Sequence, residues 1–448
     1  MEPGTRALPQ WFDDAKLGIF VHWTAAAVPA FAPVADSPFD LAAGGGGWEE
    51  AMRCSPYVEW YQNSIAIEGS PAALHHAEVH GSRPYDDFVA QFLAGHGGWQ
   101  PEPWADLFAQ AGAHYVVLVT KHHDGVLLWP SDTPNPHKER WASERDLVGD
   151  LAAAVRARGL RFGTYYSGGL DWTFGGLPIT DLAAMFRAIP QAPEYLAYAD
   201  AHWHELIDRY RPDVLWNDIG YPAAADLDGL FERYYAAVPD GVVNNRFDWI
   251  AQTSGSLHCD FTTPEYSTAG DPNRKWESTR GIGTSFGYNR FEPDASYLSP
   301  DELVRMFVDV VAHGGNLLLN VGPTAEGVIP WVQAQRLLAL GWWLRANGEA
   351  IYGTRPWHRT DGITGEGHDV RFTTKDQAVY AIVCGTPSSD RIELDLAPHA
   401  GADIRLLGHH APLIWTAKGD GCVVTLPGRP AESPALTLRI AQPADRPR

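Results

Sequence analysis

Cysteine is scarce, with only Cys54, Cys259, Cys384 and Cys422 in 448 residues and no CxxC pair among them. That excludes a disulfide-framework fold and a cysteine zinc site. Buried free thiols are expected, with a Cys384–Cys422 bridge in the last domain as the alternative. Basic residues are also in deficit: 34 Lys and Arg against 55 Asp and Glu give a formal net charge of −21. Nucleic acid and anionic lipid draw affinity from clustered cations, so neither is an expected partner. No apolar run approaches the roughly 18 residues of a membrane helix. The Met1-Glu2-Pro3-Gly4 start lacks the basic and apolar regions of a secretory leader, so no membrane partner and a cytoplasmic location are expected. Internal repeats and long charge runs are missing too. What remains, 45% apolar and 20% charged, is the composition of a globule with a sizeable core.

Short apolar or β-branched runs recur at 16–23, 114–120, 161–167, 213–218, 241–247, 258–266, 284–289 and 316–321, giving eight candidate strands. Helical patterns follow several of them. Leu147, Leu151 and Val155 fall four apart ahead of Gly159, a C-terminal stop. Ser299-Pro300-Asp301-Glu302 has the N-cap, first-turn proline and third-position glutamate of a capping box. Strands alternating with helices specify an α/β fold, and eight of them suggest a (β/α)8 TIM-like barrel. The barrel is irregular, because the ten residues between Phe247 and His258 are fewer than the roughly dozen a helical crossover takes. The stretch 24–102, with four consecutive glycines from Gly44, reads as an insertion of loops over the strand ends. Beyond about Pro356 the period changes to two, in short strands at 370–374, 378–384, 391–396, 403–407, 422–426 and 435–440. The expected division is a catalytic barrel over 1–355 and an antiparallel β-sandwich over 356–448.

Barrel enzymes place their chemistry at the C-terminal ends of the strands. Those ends carry Phe20-Val21-His22-Trp23, Lys121-His122-His123-Asp124-Gly125, Tyr165-Tyr166-Ser167-Gly168-Gly169, Leu215-Trp216-Asn217-Asp218, Arg246 and Thr262-Thr263-Pro264-Glu265-Tyr266. Such a mouth suits a sugar: aromatic faces pack on C–H surfaces, His and Arg donate to hydroxyls, and carboxylates accept from them or react. Two carboxylates flanking a glycosidic bond are the minimum equipment of glycoside hydrolysis. On the residues alone, Asp218 could equally cap the element after its strand. No metal or cofactor is expected: His122 and His123 are strand neighbours facing opposite sides, and His202 and His204 lie two apart on a helix. His409-His410 reads as a surface turn and Trp342-Trp343 as core.

Taken in order, Trp11-Phe12, Gly18 to Trp23, Glu59-Trp60-Tyr61, Lys121 to Gly125, Tyr165 to Trp172, Trp216-Asn217-Asp218, the run Trp276 to Asn289 and Asn316 to Pro323 carry a resemblance. Over nearly its whole length the chain resembles the α-L-fucosidases of glycoside hydrolase family 29. The resemblance implies an irregular barrel with a C-terminal β-sandwich, and a retaining exo-glycosidase that needs no metal. The implied substrate is a fucosylated oligosaccharide or glycoconjugate, cleaved through a covalent fucosyl-enzyme. It makes Asp218 the nucleophile and Glu265 the acid/base, with Glu59 and Glu277 as rivals for the second role. Glu277, beside Lys275 and Arg280, reads as part of a structural ion pair. The resemblance also makes His22, Glu59, Trp60, His122, His123 and Arg246 a ring around the fucose hydroxyls, and Phe20, Tyr165, Trp216 and Phe286 the pocket for the C6 methyl. A related glycosidase or transfucosidase is the near alternative. A non-catalytic fucose-binding protein on a degenerate barrel is the distant one, disfavoured because such a protein needs no acid.

Overall fold

In the computed structural model, which describes residues 6–441, seven strands form one curled parallel sheet. They are β1 (Leu17–Val21), β2 (Tyr115–Lys121), β3 (Arg161–Ser167), β4 (Val214–Asp218), β5 (Val242–Val243), β6 (Glu277–Gly281) and β7 (Asn316–Val321), in the order β5-β4-β3-β2-β1-β7-β6. The apolar runs are continuous because both faces are buried. Tyr115, Val117 and Val119 of β2 point inward with Phe20, Tyr165, Trp216 and Leu318, whereas Val116 and Leu118 join the outer layer beneath the helices.

The barrel closes irregularly. Between edge strands β5 and β6 the segment 261–265 makes only isolated parallel bridges, Asn244 with Phe261, Thr262 with Trp276 and Glu265 with Thr279. The strand expected at 258–266 is therefore this bridging segment, and the one expected at 284–289 is loop. The missed strand is β6, Glu-Ser-Thr-Arg-Gly, which a search for apolar runs passes over because the side chain it buries first is a carboxylate.

The helix signals correspond to helices. Asp146 accepts from Gly149 N ahead of the helix Leu147–Ala157, and Ser299 with Glu302 completes a capping box on the helix Pro300–Ala312. Residues 24–102, expected as loop, contain helices at Gly47–Arg53, Tyr61–Ala66, Pro71–Val79 and Tyr85–Ala94. Met52 and Trp60 from this stretch pack with Leu170, Trp172 and Ile179 into a small apolar roof.

The C-terminal strands are β8 (Arg355–Ile363), β9 (Asp369–Lys375), β10 (Ala378–Val383), β11 (Arg391–Leu394), β12 (Ile404–Leu406), β13 (Ile414–Lys418), β14 (Gly421–Thr425) and β15 (Leu436–Ala441). They form antiparallel sheets of order β12-β15-β10-β9-β8 and β11-β14-β13. Val379, Ala381 and Val383 of β10 face the second sheet, and Ala378, Tyr380 and Ile382 face the barrel. All four cysteines are free, Cys384 and Cys422 included. Among the described residues no helix is long and apolar enough to cross a membrane.

The two neighbouring tryptophans of the helix Trp331–Asn347 separate, contrary to the core reading of both. Trp343 is buried and donates from Nε1 to Ala435 O, while Trp342 is 72% exposed, because adjacent helical positions point about 100° apart. Trp343→Ala should destabilise the protein by about 3–5 kcal/mol, and Trp342→Ala should stay within about 0.5 kcal/mol. Denaturant unfolding of the two variants checks the difference.

Candidate active site

The expected residues converge at the C-terminal ends of the barrel strands. Phe20 and His22 come from the end of β1, His122 and His123 from the residues after β2, Tyr165 from β3, and Trp216 and Asp218 from β4. Arg246 follows β5, Glu265 belongs to the bridging segment, Phe286 follows β6, and Glu59 and Trp60 descend from the β1–β2 crossover. Their rings interlock: centroids are 5.2 Å apart for Phe20 and Trp216, 5.0 Å for His22 and Phe286, 5.4 Å for Tyr165 and Trp216, and 5.0 Å for Trp60 and His123. His122 lies parallel to Tyr165.

Asp218 is no helix cap, since the next helix, Leu227–Ala237, is capped by Asp226. Its Oδ1 accepts from Arg246 Nη1 at 2.9 Å and from Ile219 N at 3.0 Å, and its Oδ2 accepts from Tyr165 OH at 2.8 Å. The chain leaves the strand through a left-handed Ile219, φ +56°, a rare conformation for a β-branched residue. Asn217 clamps this turn, donating from Nδ2 to Gly220 O and Arg246 O. Gly169 makes room for it, as a Cβ there would lie 2.0 Å from Ile219 O.

Arg246 is fixed independently of the carboxylates. Its Nε donates to Thr263 Oγ1 at 2.7 Å and its Nη2 to Thr263 O at 2.9 Å. The same Nη2 reaches Glu265 Oε1 at 2.7 Å, so one guanidinium joins Asp218 to Glu265. Burial works against the charge, and the two carboxylates outweigh it, raising the arginine's pKa.

The histidines accept where the sequence reading had them donate. His22 Nδ1 lies 2.6 Å from Asn320 Oδ1, and Asn320 Nδ2 donates to Phe286 O, so the amide presents its oxygen and Nδ1 must carry the proton. Ser167 Oγ donates to Leu170 O and therefore accepts from His123 Nδ1 at 2.6 Å. Burial lowers the pKa of His22 to about 4 and that of His123 to about 3, and drives His122 well below its ordinary value. At neutral pH His22 and His123 thus offer bare Nε2 lone pairs, as acceptors for hydroxyl donors. His122 Nδ1 has no hydrogen-bond partner among the described residues. Glu59 accepts from Gly287 N at 2.8 Å, and burial pushes its pKa up to about 7.

Asn320, Ser167 and Thr263 are the functional residues that sequence reasoning missed. Their one signal is a polar side chain at or near the end of an apolar strand. Glu277 is not in the ion pair expected of it: Lys275 pairs with Asp13 at 2.9 Å, and Arg280 donates to Gly281 O. Instead Glu277 accepts from Tyr115 OH and, at 3.1 Å, from Trp216 Nε1 inside the barrel. Away from the mouth, Asp309, His313 and Asp361 approach closely enough to hold a metal ion, but Arg371 Nε sits 2.5 Å and 3.2 Å from the two carboxylates and supplies their countercharge.

Comparisons with known proteins match the chain over nearly its whole length. The profile of the family described as "Alpha-L-fucosidase" matches residues 2–349, and that of the "Alpha-L-fucosidase C-terminal domain" matches 365–441. The tissue alpha-L-fucosidase of Rattus norvegicus is 33% identical over 449 residues, covering 95% of this chain and 87% of its own. The plasma alpha-L-fucosidase of Homo sapiens is 34% identical, with 94% and 86% covered. The structure of Thermotoga maritima alpha-fucosidase in complex with fucose superposes with a TM-score of 0.85 at 41% identity, over 97% of both chains.

The tautomers are open to direct measurement. Imidazole 15N resonances of His22 and His123 should show the neutral Nδ1–H form between about pH 5 and 8. As pH falls through about 4, His22 should gain a proton on Nε2 and change from acceptor to donor there. Nε2–H signals at neutral pH would contradict the assignment.

Proposed function

This chain belongs to the alpha-L-fucosidase family and is a glycoside hydrolase that removes terminal α-L-fucosyl residues; we propose that Asp218 is its nucleophile and Glu265 its acid/base. The observation that carries the assignment is the shared arginine. Two carboxylates held by one half-buried guanidinium suit the narrow spacing, about 5–5.5 Å, of a retaining pair.

In the first step an oxygen of Asp218 attacks the anomeric carbon. The bond from that carbon to the aglycone oxygen breaks, and Glu265 gives the departing oxygen its proton. In the second, Glu265 takes a proton from water, whose oxygen displaces Asp218 and releases fucose with its configuration retained. The donors from Tyr165, Ile219 and Arg246 keep Asp218 in one orientation throughout. The Thr263 clamp keeps Arg246 in place whichever form Glu265 has, so Asp218 stays oriented while its negative charge meets the positive charge developing on the sugar.

Recognition follows from the walls. Fucose hydroxyls donate to Nε2 of His22 and His123 and meet Glu59 and Trp60, with His122 beside them. Phe20, Tyr165, Trp216 and Phe286 leave an apolar niche for the C6 methyl, where an added hydroxyl would lose its hydrogen-bond partners. The natural substrates we infer are fucosylated oligosaccharides or glycoconjugates.

A panel of 4-nitrophenyl glycosides tests the activity: hydrolysis should be confined largely to the α-L-fucoside, with an α-L-galactoside slower by about 10²-fold. Asp218→Ala should lower kcat by at least about a thousandfold, and azide should restore turnover as β-fucosyl azide; the α-azide would interchange the two carboxylates. Glu265→Ala should harm substrates with poor leaving groups far more than aryl fucosides, whereas equal losses on both would move the acid to Glu59.

A further inference from the structure

Beneath the pocket lies a carboxylate that the displacement does not use. Glu277 is fully buried at the start of β6, and both its oxygens are engaged, Oε1 by Trp216 Nε1 and Oε2 by Tyr115 OH. Of the groups assigned to the reacting sugar, its side-chain hydrogen bonds reach the indole. A carboxyl in such a place is costly when an apolar side chain would fill the same volume. Burial accordingly pushes its pKa up to about 7, against the opposing pull of Tyr115, Trp216, Lys275 and Arg246. The indole it grips also carries the Arg246 guanidinium 4.7 Å from its ring centroid.

We propose that Glu277 is a positioning residue that fixes the indole of Trp216 and, through that ring, seats the arginine linking Asp218 to Glu265. Ionised above about pH 7, the acceptor at the indole N–H sets the rotation of the ring, and in a dry interior it polarises the ring toward the cation. Cation and carboxylate thus meet the same aromatic plate, one at its face and the other at its polar edge. The inference rests on the roles given above to Asp218 and Glu265.

Glu277→Gln keeps the shape and removes the charge: its amide oxygen still accepts from Trp216, and its NH2 can donate to Tyr115. Measured at about pH 8, where the wild-type carboxyl is ionised, the variant should fold and lose about three- to thirtyfold in kcat/KM on 4-nitrophenyl α-L-fucoside. That loss should be the same for good and poor leaving groups, unlike the loss from a missing acid. The decisive comparison is the double-mutant cycle with Trp216→Phe, which keeps a ring and deletes the N–H. If Glu277 acts through the indole, Glu277→Gln costs little further in that background. Additive losses, or an unchanged kcat/KM in the single variant, would overturn the proposal. The Trp216 indole N–H proton resonance gives a second readout without substrate and should move upfield in Glu277→Gln. An inactive wild type would count against the proposed function, and the indole resonance would then still decide on the link, an unmoved signal overturning it.

Discussion

The half-buried guanidinium of Arg246 is the constraint around which the mouth of this barrel is arranged. Two carboxylates brought together in a poorly solvated pocket repel each other, and a cation between them is what makes the arrangement stable. Arginine suits the place better than lysine, because its planar fork satisfies Thr263, Asp218 and Glu265 from fixed directions at once. Thr263 and Glu265 both belong to the bridging segment 261–265. The irregular closure of the barrel is thereby tied to its chemistry: a regular ladder there would spend on neighbouring strands the Thr263 carbonyl that holds the arginine.

Around this charged centre the histidines are neutral. They are desolvated, and their protons are directed inward by Asn320 and Ser167, which leaves acceptors pointing at the sugar. A sugar hydroxyl is both donor and acceptor, so selectivity comes from which lone pairs and which N–H groups the wall presents. Polar residues lying one step behind the wall settle that choice, and none of them need touch the ligand.

Much of this was legible in the sequence. The alternation of apolar runs with capped helices pointed to a parallel barrel, and the polar clusters at strand ends pointed to its mouth. The period-two stretch beyond Pro356 marked the antiparallel sheets. What escaped did so for physical reasons. Strand β6 is polar because one of its inward positions carries Glu277, so no hydrophobic run announced it. The 24–102 stretch looked like loop because glycines and prolines punctuate helices of no more than about three turns. Trp342 and Trp343 are indistinguishable by residue type and were separated only by helical phase. The orienting partners of the histidines were invisible because their effect lies in which atom carries a proton, a property of three-dimensional networks.

Strand β10 has no solvent face: one side belongs to the C-terminal sandwich and the other to the layer that wraps the barrel. Its ladder is completed by β15, Leu436–Ala441, near the end of the described chain. During synthesis the barrel strands therefore emerge long before the element that covers their outer helices. Until the C-terminal sheet folds, the part of the helix Pro300–Ala312 that packs on β8 and β9 belongs to an unfinished surface. The catalytic part of the molecule is thus made first but becomes a finished, non-adhesive body only when the C-terminal sheets fold, and a nascent or truncated chain presents that surface to chaperones and to other chains.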